Sequence, residues 1–390
     1  MKIAIHGRGP VALSLALLLR RLGLRASQVA LSAPRGAPSP ALSARALALS
    51  GGSWQILSRI IDPPPAGAIH DVDIAFVGHG LHTRFGSSDN AGRLLGHVVR
   101  HGDLTQALER AIADWPIATL ADPDDPPAPE PAAPTGRHAA ASAPADDPQA
   151  DVLNVHAEGR TDTVRARHSF GQRALFTEVR RTDGIDQTRR LPEHDVAYER
   201  FRTAGPLALL PLPESGHWSV VWCETPARVD ELMQCTNDRF EQALAQALGV
   251  DAAHGLRLSA ARHAVDLFSE RADEHEARTV RIGNAAQSLH PVAGQGLNLG
   301  LRDVMSLAEL LGERHAGNAS VESIVREYRR VRERDRQFTR TLTDRLAMLG
   351  AGARVAPSMS QALMSGALGA LDLIPPLRRQ VSRHFVYGAR

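Results

Sequence analysis

Lys2-Ile3-Ala4-Ile5-His6-Gly7-Arg8-Gly9-Pro10-Val11-Ala12 begins as a short apolar strand and turns through two glycines. It then enters a helix expected from Val11 to about Leu22, closed by Gly23. Pro10 suits a first helical turn, where its missing N–H is no loss. The pattern Gly7-x-Gly9-x-x-Ala12 meets three needs of a dinucleotide site: a tight turn, close backbone approach to a pyrophosphate, and close packing of helix on strand. The plainer reading is an ordinary glycine turn. Gln28–Leu31 supplies a second strand, giving β-α-β within 32 residues. The acid that usually ends this second strand and holds a ribose hydroxyl is missing around Leu31-Ser32-Ala33.

The rest of the chain sets the bounds. At 390 residues, with 43% hydrophobic, it has room for two domains or one with a large insertion. A net charge of +2 gives no field for nucleic acid. Cys223 and Cys235 cannot make a disulfide framework, and 17 histidines contain no HExxH, so no metal site is expected. No Gly-x-Ser-x-Gly elbow offers an esterase nucleophile. The run Val11–Leu19 is too short to span a bilayer, and Arg20 and Arg21 stand where a signal-cleavage site would follow. A cytoplasmic protein is expected.

Residues 122–150 hold eight of the 25 prolines and read as a loop or insertion. Strands are expected at 152–158, 174–179, 207–212 and 218–222, the last three forming a separate antiparallel sheet. From about Ser320 the spacing predicts an amphipathic helix through Val325, Tyr328, Val331, Phe338, Leu342 and Leu346. Its seven arginines between Arg326 and Arg340 read as a solvated face. The apolar tail 355–374 is broken by Pro357, Gly366, Gly369 and Asp372. It is expected to pack on the body, with contact at a bilayer surface as the alternative.

A second glycine-rich segment runs Gly283-Asn284-Ala285-Ala286-Gln287-Ser288-Leu289-His290-Pro291-Val292-Ala293-Gly294-Gln295-Gly296-Leu297-Asn298-Leu299-Gly300, after the strand-like 279–282 and before a helix through Asp303, Leu307 and Leu311. Strand, loop and helix N-terminus again aim backbone N–H groups and a positive dipole end at an anion. This segment also resembles the second FAD motif of the flavin-dependent aromatic hydroxylases, which share the p-hydroxybenzoate hydroxylase fold. It is most similar to the 2-polyprenyl-6-methoxyphenol hydroxylase branch of ubiquinone biosynthesis. Tyr198-Glu199-Arg200-Phe201, Gly205–Pro211, Val221-Trp222-Cys223, Arg302–Glu309 and Arg45–Leu49 agree, in family order.

The resemblance implies an α/β fold. A Rossmann-like FAD-binding domain would take 1–66, 91–170 and 266–320. An antiparallel substrate domain would take 67–90 and 171–265, with a helical region at 321–390. Gly7, Gly9, Pro10, Val11 and Ala12 would cradle the FAD pyrophosphate. Arg45 would lie along phosphates and ribityl, and Asn284 would stand where most of the class has a ribityl-binding aspartate. Pro291, Gly294, Gln295, Gly296, Leu297 and Asn298 would line the isoalloxazine, and His290 would serve proton transfer. The third family motif, Asp-Gly-x-x-Ser-x-x-Arg, is matched only by Glu158-Gly159, Asp162 and Arg165.

The implied activity is hydroxylation of a prenylated phenol by O2 through a flavin C4a-hydroperoxide, with NAD(P)H or another reductant as electron donor. Leu207, Leu209 and Pro211 are the candidate wall of the ring and prenyl pocket. Other enzymes of ubiquinone biosynthesis, and a peripheral contact with the inner membrane, are the implied partners. A non-catalytic homologue and a hydroxylase of a soluble aromatic acid are the alternatives.

Overall fold

The structure, a computed structural model, describes residues 1–33, 39–77, 81–120, 152–157, 164–182, 193–249, 255–272, 275–291, 294–315 and 319–350. The proline-rich stretch, Glu158, Gly159, Asp162 and the tail 355–374 lie outside them. A first sheet runs in the order β16 (Thr279–Arg281), β9 (Val152–His156), β1 (Lys2–His6), β2 (Val29–Ser32), β8 (Ala118–Leu120), parallel throughout. Parallel strands buried on both faces need continuous apolar runs. Ile3, Ile5, Leu153, Val155 and Val280 supply them, against α1 (Pro10–Arg21), α4 (His101–Ile112) and α7 (Gln295–His315).

The second sheet has nine strands. Its order is β17 (Gln287–Ser288), β15 (His263–Ala272), β10 (Val164–Arg181), β13 (His217–Glu224), β12 (Leu207–Pro211), β11 (Val196–Phe201), β5 (Asp71–Phe76), β6 (Leu81–Gly86), with β14 (Leu256–Leu258) beside β10. It is antiparallel except where β5 meets β11. Because β10 and β15 pair along most of their length, the sheet reaches past the expected boundaries at 171 and 265. One face packs Leu175, Trp218, Val220 and Trp222 against α5 (Pro226–Gln234) and α6 (Asn237–Leu248).

The other face meets a small sheet of β3 (Ala46–Ser50), β7 (Gly96–Arg100) and β4 (Gly67–Ile69). Ala197, Ala208, Leu210 and Val221 there touch Ala46, Ala48, Ile69 and Val98. The approach is close enough that a Cβ on Gly67 would lie 2.2 Å from the Pro211 carbonyl oxygen. Two short helices, α2 (Pro40–Ala44) and α3 (Gly51–Ser58), flank β3.

The long helix α8 (Val321–Gly350) lies on α7. Its arginine run is not one solvated face, contrary to the expectation. Arg330 and Arg334 are exposed, whereas Arg332 and Arg336 turn inward onto Asp303 of α7 and are buried. A charge count along a helix does not see a buried carboxylate on its neighbour.

Candidate cofactor and substrate site

The N-terminus of α1 starts at Gly9, whose position brings no side-chain cap. The N–H groups of Val11 and Ala12 are therefore left for a ligand, as at any uncapped first turn. Gly7 takes φ 116°, and its N–H donates to Ser32 Oγ at 3.0 Å. At the end of β2, Arg8 occupies the region of the missing ribose acid. Its guanidinium donates to the Ser32 carbonyl at 3.0 Å and, through two bonds of 2.9 Å, to Glu109 of α4. Glu109 thus brings a carboxylate to this end of the sheet from 77 residues beyond Ser32, where no local signal in the sequence could have marked it.

Val11 is the hub of the cradle. A Cβ on Gly283 would lie 3.1 Å from its side chain, and one on Gly300 would lie 2.8 Å away. Gly283 also needs its φ of 57°, in the left-handed region that glycine adopts without strain. These glycines bring α1, the 3-10 turn Gly283–Ala285 and α7 together. Asp303, at 0% exposure, fixes the turn by accepting the Gly283 N–H at 3.0 Å. It also accepts from Arg332 Nε at 2.7 Å and from Arg336 at 3.0 and 3.2 Å. Burial pushes the Asp303 carboxyl up, but the Arg336 and Arg332 charges win and hold it below its usual range.

The residues expected on the flavin side differ in their surroundings. Asn284 is exposed, with no hydrogen-bond partner among the described residues. A Cβ on Gly296 would meet open space. Gln295 and Leu297 stand on either side of Gly296 in the first turn of α7, and Pro291 is half-buried in the loop before it. Asn298 is buried and used up: Oδ1 accepts Ser50 N–H at 2.8 Å, while Nδ2 donates to the Ala48 and Gly294 carbonyls at 2.9 and 2.8 Å. It ties α7 to β3 and has no polar group left over. Gly294, at φ 58°, sits with its Cβ position 3.0 Å from Ala48 Cβ.

Arg45 leads into β3, exposed to solvent yet enclosed enough that desolvation pulls its guanidinium below its ordinary value. The guanidinium itself has no hydrogen-bond or ion-pair partner among the described residues. An uncapped helix N-terminus, a free guanidinium, an exposed amide and a helix start open at Gly296 form a donor set suited to a flat anionic group. These residues fit FAD.

His290 is enclosed, at 1% exposure. Its Nε2 is 3.0 Å from Gln172 Oε1, and its ring meets Phe170 edge-on at 4.8 Å. Burial lowers its pKa to about 4, so at neutral pH it is an uncharged imidazole. Gln172 in turn donates to the Ala204 carbonyl at 2.7 Å. This chain positions the loop before Pro291 and leaves His290 poorly suited to proton transfer at pH 7.

On β12 the alternation is the reverse of the expected pocket. Leu207 and Leu209 are buried beneath α5 and α6 with Trp218 and Trp222, while Ala208 and Leu210 face β3. Pro211, buried at the end of the strand, meets Gly67 through its carbonyl. Glu199 of β11 is paired in register with Ile74 on one side and Ala208 on the other, on the face toward β3. Its carboxyl has no bonding partner among the described residues. Burial pushes it up to about 7, against the pull of Arg200. Cys223 lies on the same face, its thiol pushed up by burial and by the Glu199 and Glu224 charges, with Arg45 acting the other way.

Comparison with known proteins fits this geometry. A family model described as FAD binding domain matches residues 140–344. The chain is 29% identical over 363 residues to the ubiquinone hydroxylase UbiL of Rhodospirillum rubrum, spanning 88% of this chain and 77% of that protein. It is 27% identical over 252 residues to the 3-demethoxyubiquinol 3-hydroxylase of Escherichia coli, spanning 59% and 57%. In fold it is similar to p-nitrophenol 4-monooxygenase PnpA of Pseudomonas putida, with a TM-score of 0.69 at 18% identity, covering 100% of this chain and 98% of that one. Klebsiella pneumoniae HpxO, solved with FAD and uric acid, gives 0.64 at 14% identity, covering 98% and 96%.

Proposed function

The chain belongs to the FAD-binding domain family, and from that premise we propose that it is an FAD-dependent aromatic-ring monooxygenase, hydroxylating a polyprenylated phenol in ubiquinone biosynthesis. The observation that carries this reading is the junction of two unlike surfaces. The glycine cradle around Val11 and the first turn of α7 reach β3, and β3 lies directly on the face of the large sheet bearing Ala197, Ala208, Leu210 and Val221. A cofactor held in the first would present its ring system toward an apolar surface suited to an aromatic, prenylated substrate. Similarity to ubiquinone hydroxylases over most of the chain supports the substrate class.

Bound FAD, once reduced by NAD(P)H, supplies the activation of O2 for transfer of one oxygen atom to an electron-rich ring carbon. The chain's own residues bind, orient and desolvate. Val11 and Ala12 N–H groups at the α1 terminus would take the pyrophosphate, with Arg45 as the added cation. Asn284 would hydrogen-bond a ribityl hydroxyl, as an amide can. The α7 N-terminus would set N–H donors and a positive dipole end against negative charge on the ring. Neutral His290, Gln172 and Phe170 would keep the region dry.

Among the described residues no helix is long and apolar enough to cross a membrane. A polyprenyl substrate nevertheless dissolves in lipid, so turnover belongs at a bilayer surface, with other enzymes of the pathway as neighbours. The test begins with the visible absorbance of the purified protein and identification of the heat-released flavin. Stoichiometric FAD and O2 uptake driven by a short-chain prenyl phenol are expected. Failure to hold FAD even when it is added in excess would refute the proposal and favour the non-catalytic reading.

A further inference from the structure

We propose that Glu199 is the base that takes the phenolic proton of the substrate, an assignment that rests on the hydroxylase reading above. A ring carbon attacks electrophilic oxygen far better from the phenoxide than from the phenol. Phenols ionise near pH 10 in water, like tyrosine. A nearby base is therefore what the protein can add to this reaction.

The other acids in this region are committed. Arg100 holds Glu178 through bonds of 2.8 and 3.1 Å, and Arg202 holds Glu224 at 2.8 Å. Asp73 is held by Arg200 at 2.7 Å, and both point to the opposite face of the sheet, where Arg200 also donates to the Leu248 carbonyl. Glu199 has no such partner among the described residues. Ile74 and Ala208 flank it across the sheet, Val221 follows Ala208 in the same row, and Ala46 and Ala48 of β3 pack on this surface. Ala48 is the residue that Asn298 and Gly294 join to the flavin-side loop. The carboxyl therefore lies on the surface proposed for the aromatic ring, on the side toward the cofactor cradle.

The charged and titratable groups around it are few. Arg45 stands just ahead of β3, with His101 beside it. β13 contributes Cys223, kept protonated by burial, and Glu224. β11 contributes Arg200, and β10 contributes Glu178 farther along the same face. Held near pH 7 by burial, Glu199 is partly ionised at neutral pH and can accept a proton. In the step itself the phenolic O–H bond breaks and its electron pair stays on the phenolic oxygen. The proton forms a new O–H bond on the Glu199 carboxylate, and water removes it as product leaves. No electrons pass to or from another group in this step.

The test uses the FAD-loaded enzyme and Glu199→Gln. E199Q is expected to keep its flavin and its reduction by NAD(P)H, while hydroxylation at pH 7 falls about 100-fold or more. The parent's rise in turnover with pH around 7 should disappear in the variant. A nitrophenol bound without turnover gives a second readout: the pH at which its phenolate band appears should be lower in the parent than in E199Q. Parent-like turnover and pH profile in E199Q would overturn the assignment.

If E199Q does not fold, ring-fluorinated phenols that ionise below about pH 6 replace it. With these the parent should lose its dependence on pH near 7, and persistence of that dependence overturns the assignment. A parent that holds FAD but turns over no phenol refutes the hydroxylase reading instead, while the nitrophenol band still decides whether Glu199 takes the proton.

Discussion

Replacing Asp303 by Ala should be among the most damaging single changes in this protein, and the cost can be traced bond by bond. Asp303 receives four hydrogen bonds, from Gly283 N, Arg332 Nε, Arg336 Nε and Arg336 Nη2. On its loss Arg332 keeps a carboxylate, since Asp335 lies 2.7 Å away. Arg336 keeps the Arg281 carbonyl at 2.7 Å and the Tyr328 hydroxyl at 2.9 Å, both neutral acceptors. A buried cation loses the carboxylate that accepts two of its bonds, a break of a buried pair that typically costs about 3–5 kcal/mol.

The freed Gly283 N–H adds part of another 1–3 kcal/mol, roughly, if no water reaches it. Asp303→Asn keeps an acceptor for Gly283 but not the charge, so the Gly283 part is spared and about 3–5 kcal/mol is still expected. Urea unfolding of the FAD-free protein gives both values, and flavin-fluorescence titration gives the accompanying loss of FAD affinity. An Asp303→Ala protein within about 1 kcal/mol of the parent would refute the claim that this carboxylate neutralises Arg336.

Two further outcomes follow from the close packing around Val11 and from the faces of β12. Gly300→Ala would ordinarily help a helix by about 1 kcal/mol, but here the new methyl meets Val11 Cγ2 at 2.8 Å. FAD affinity should fall by about tenfold or more, a loss of about 1.4 kcal/mol, and Val11→Ala in the same protein should recover part of it. Unchanged affinity in the single variant would count against the cradle. Leu209→Ala should cost about 2–5 kcal/mol of stability with KM for the phenol unchanged, because the side chain lies under α5 and α6. Ala208→Phe, on the face toward β3, should instead raise KM, and a KM raised by Leu209→Ala but not by Ala208→Phe would return the pocket to the other face.

How far the sequence could be read depended on how local each signal was. β1 falls on Lys2–His6 and α1 on Pro10–Arg21, because a strand, two glycines and a proline mark those boundaries within a dozen residues. The faces of β12 were not legible: residues 207–211 are apolar throughout, and a strand buried on both sides shows no alternation. The roles of Asp303 and Glu109 were hidden for another reason. Their partners lie 20 to 33 residues away for Asp303 and 101 away for Glu109, so only the packing of α7 on α8 and of α4 on α1 reveals them. Glu199 sat in plain view within Tyr198–Phe201. Alternation along a strand sends Arg200, its neighbour, to the opposite face, but nothing in one strand tells which face meets β3.

The same geometry gives the arginine-rich helix a function that its composition concealed. α8 binds α7 through Arg302 to Asp335 at 2.9 Å and through Arg332 and Arg336 to Asp303. Arg336 also donates to the carbonyl of Arg281, the last residue of β16, just ahead of the Gly283 turn. One buried cluster therefore holds the strand before the second glycine motif, the turn within it and the helix after it. Gly283 and Gly300 admit Val11 only while those three segments keep their spacing, so the shape of the cofactor cradle is set in part by the inner face of a neighbouring helix. A change on the inner face of α8 should then weaken FAD binding more than an equal loss of stability elsewhere, because it acts on the spacing that Val11 requires.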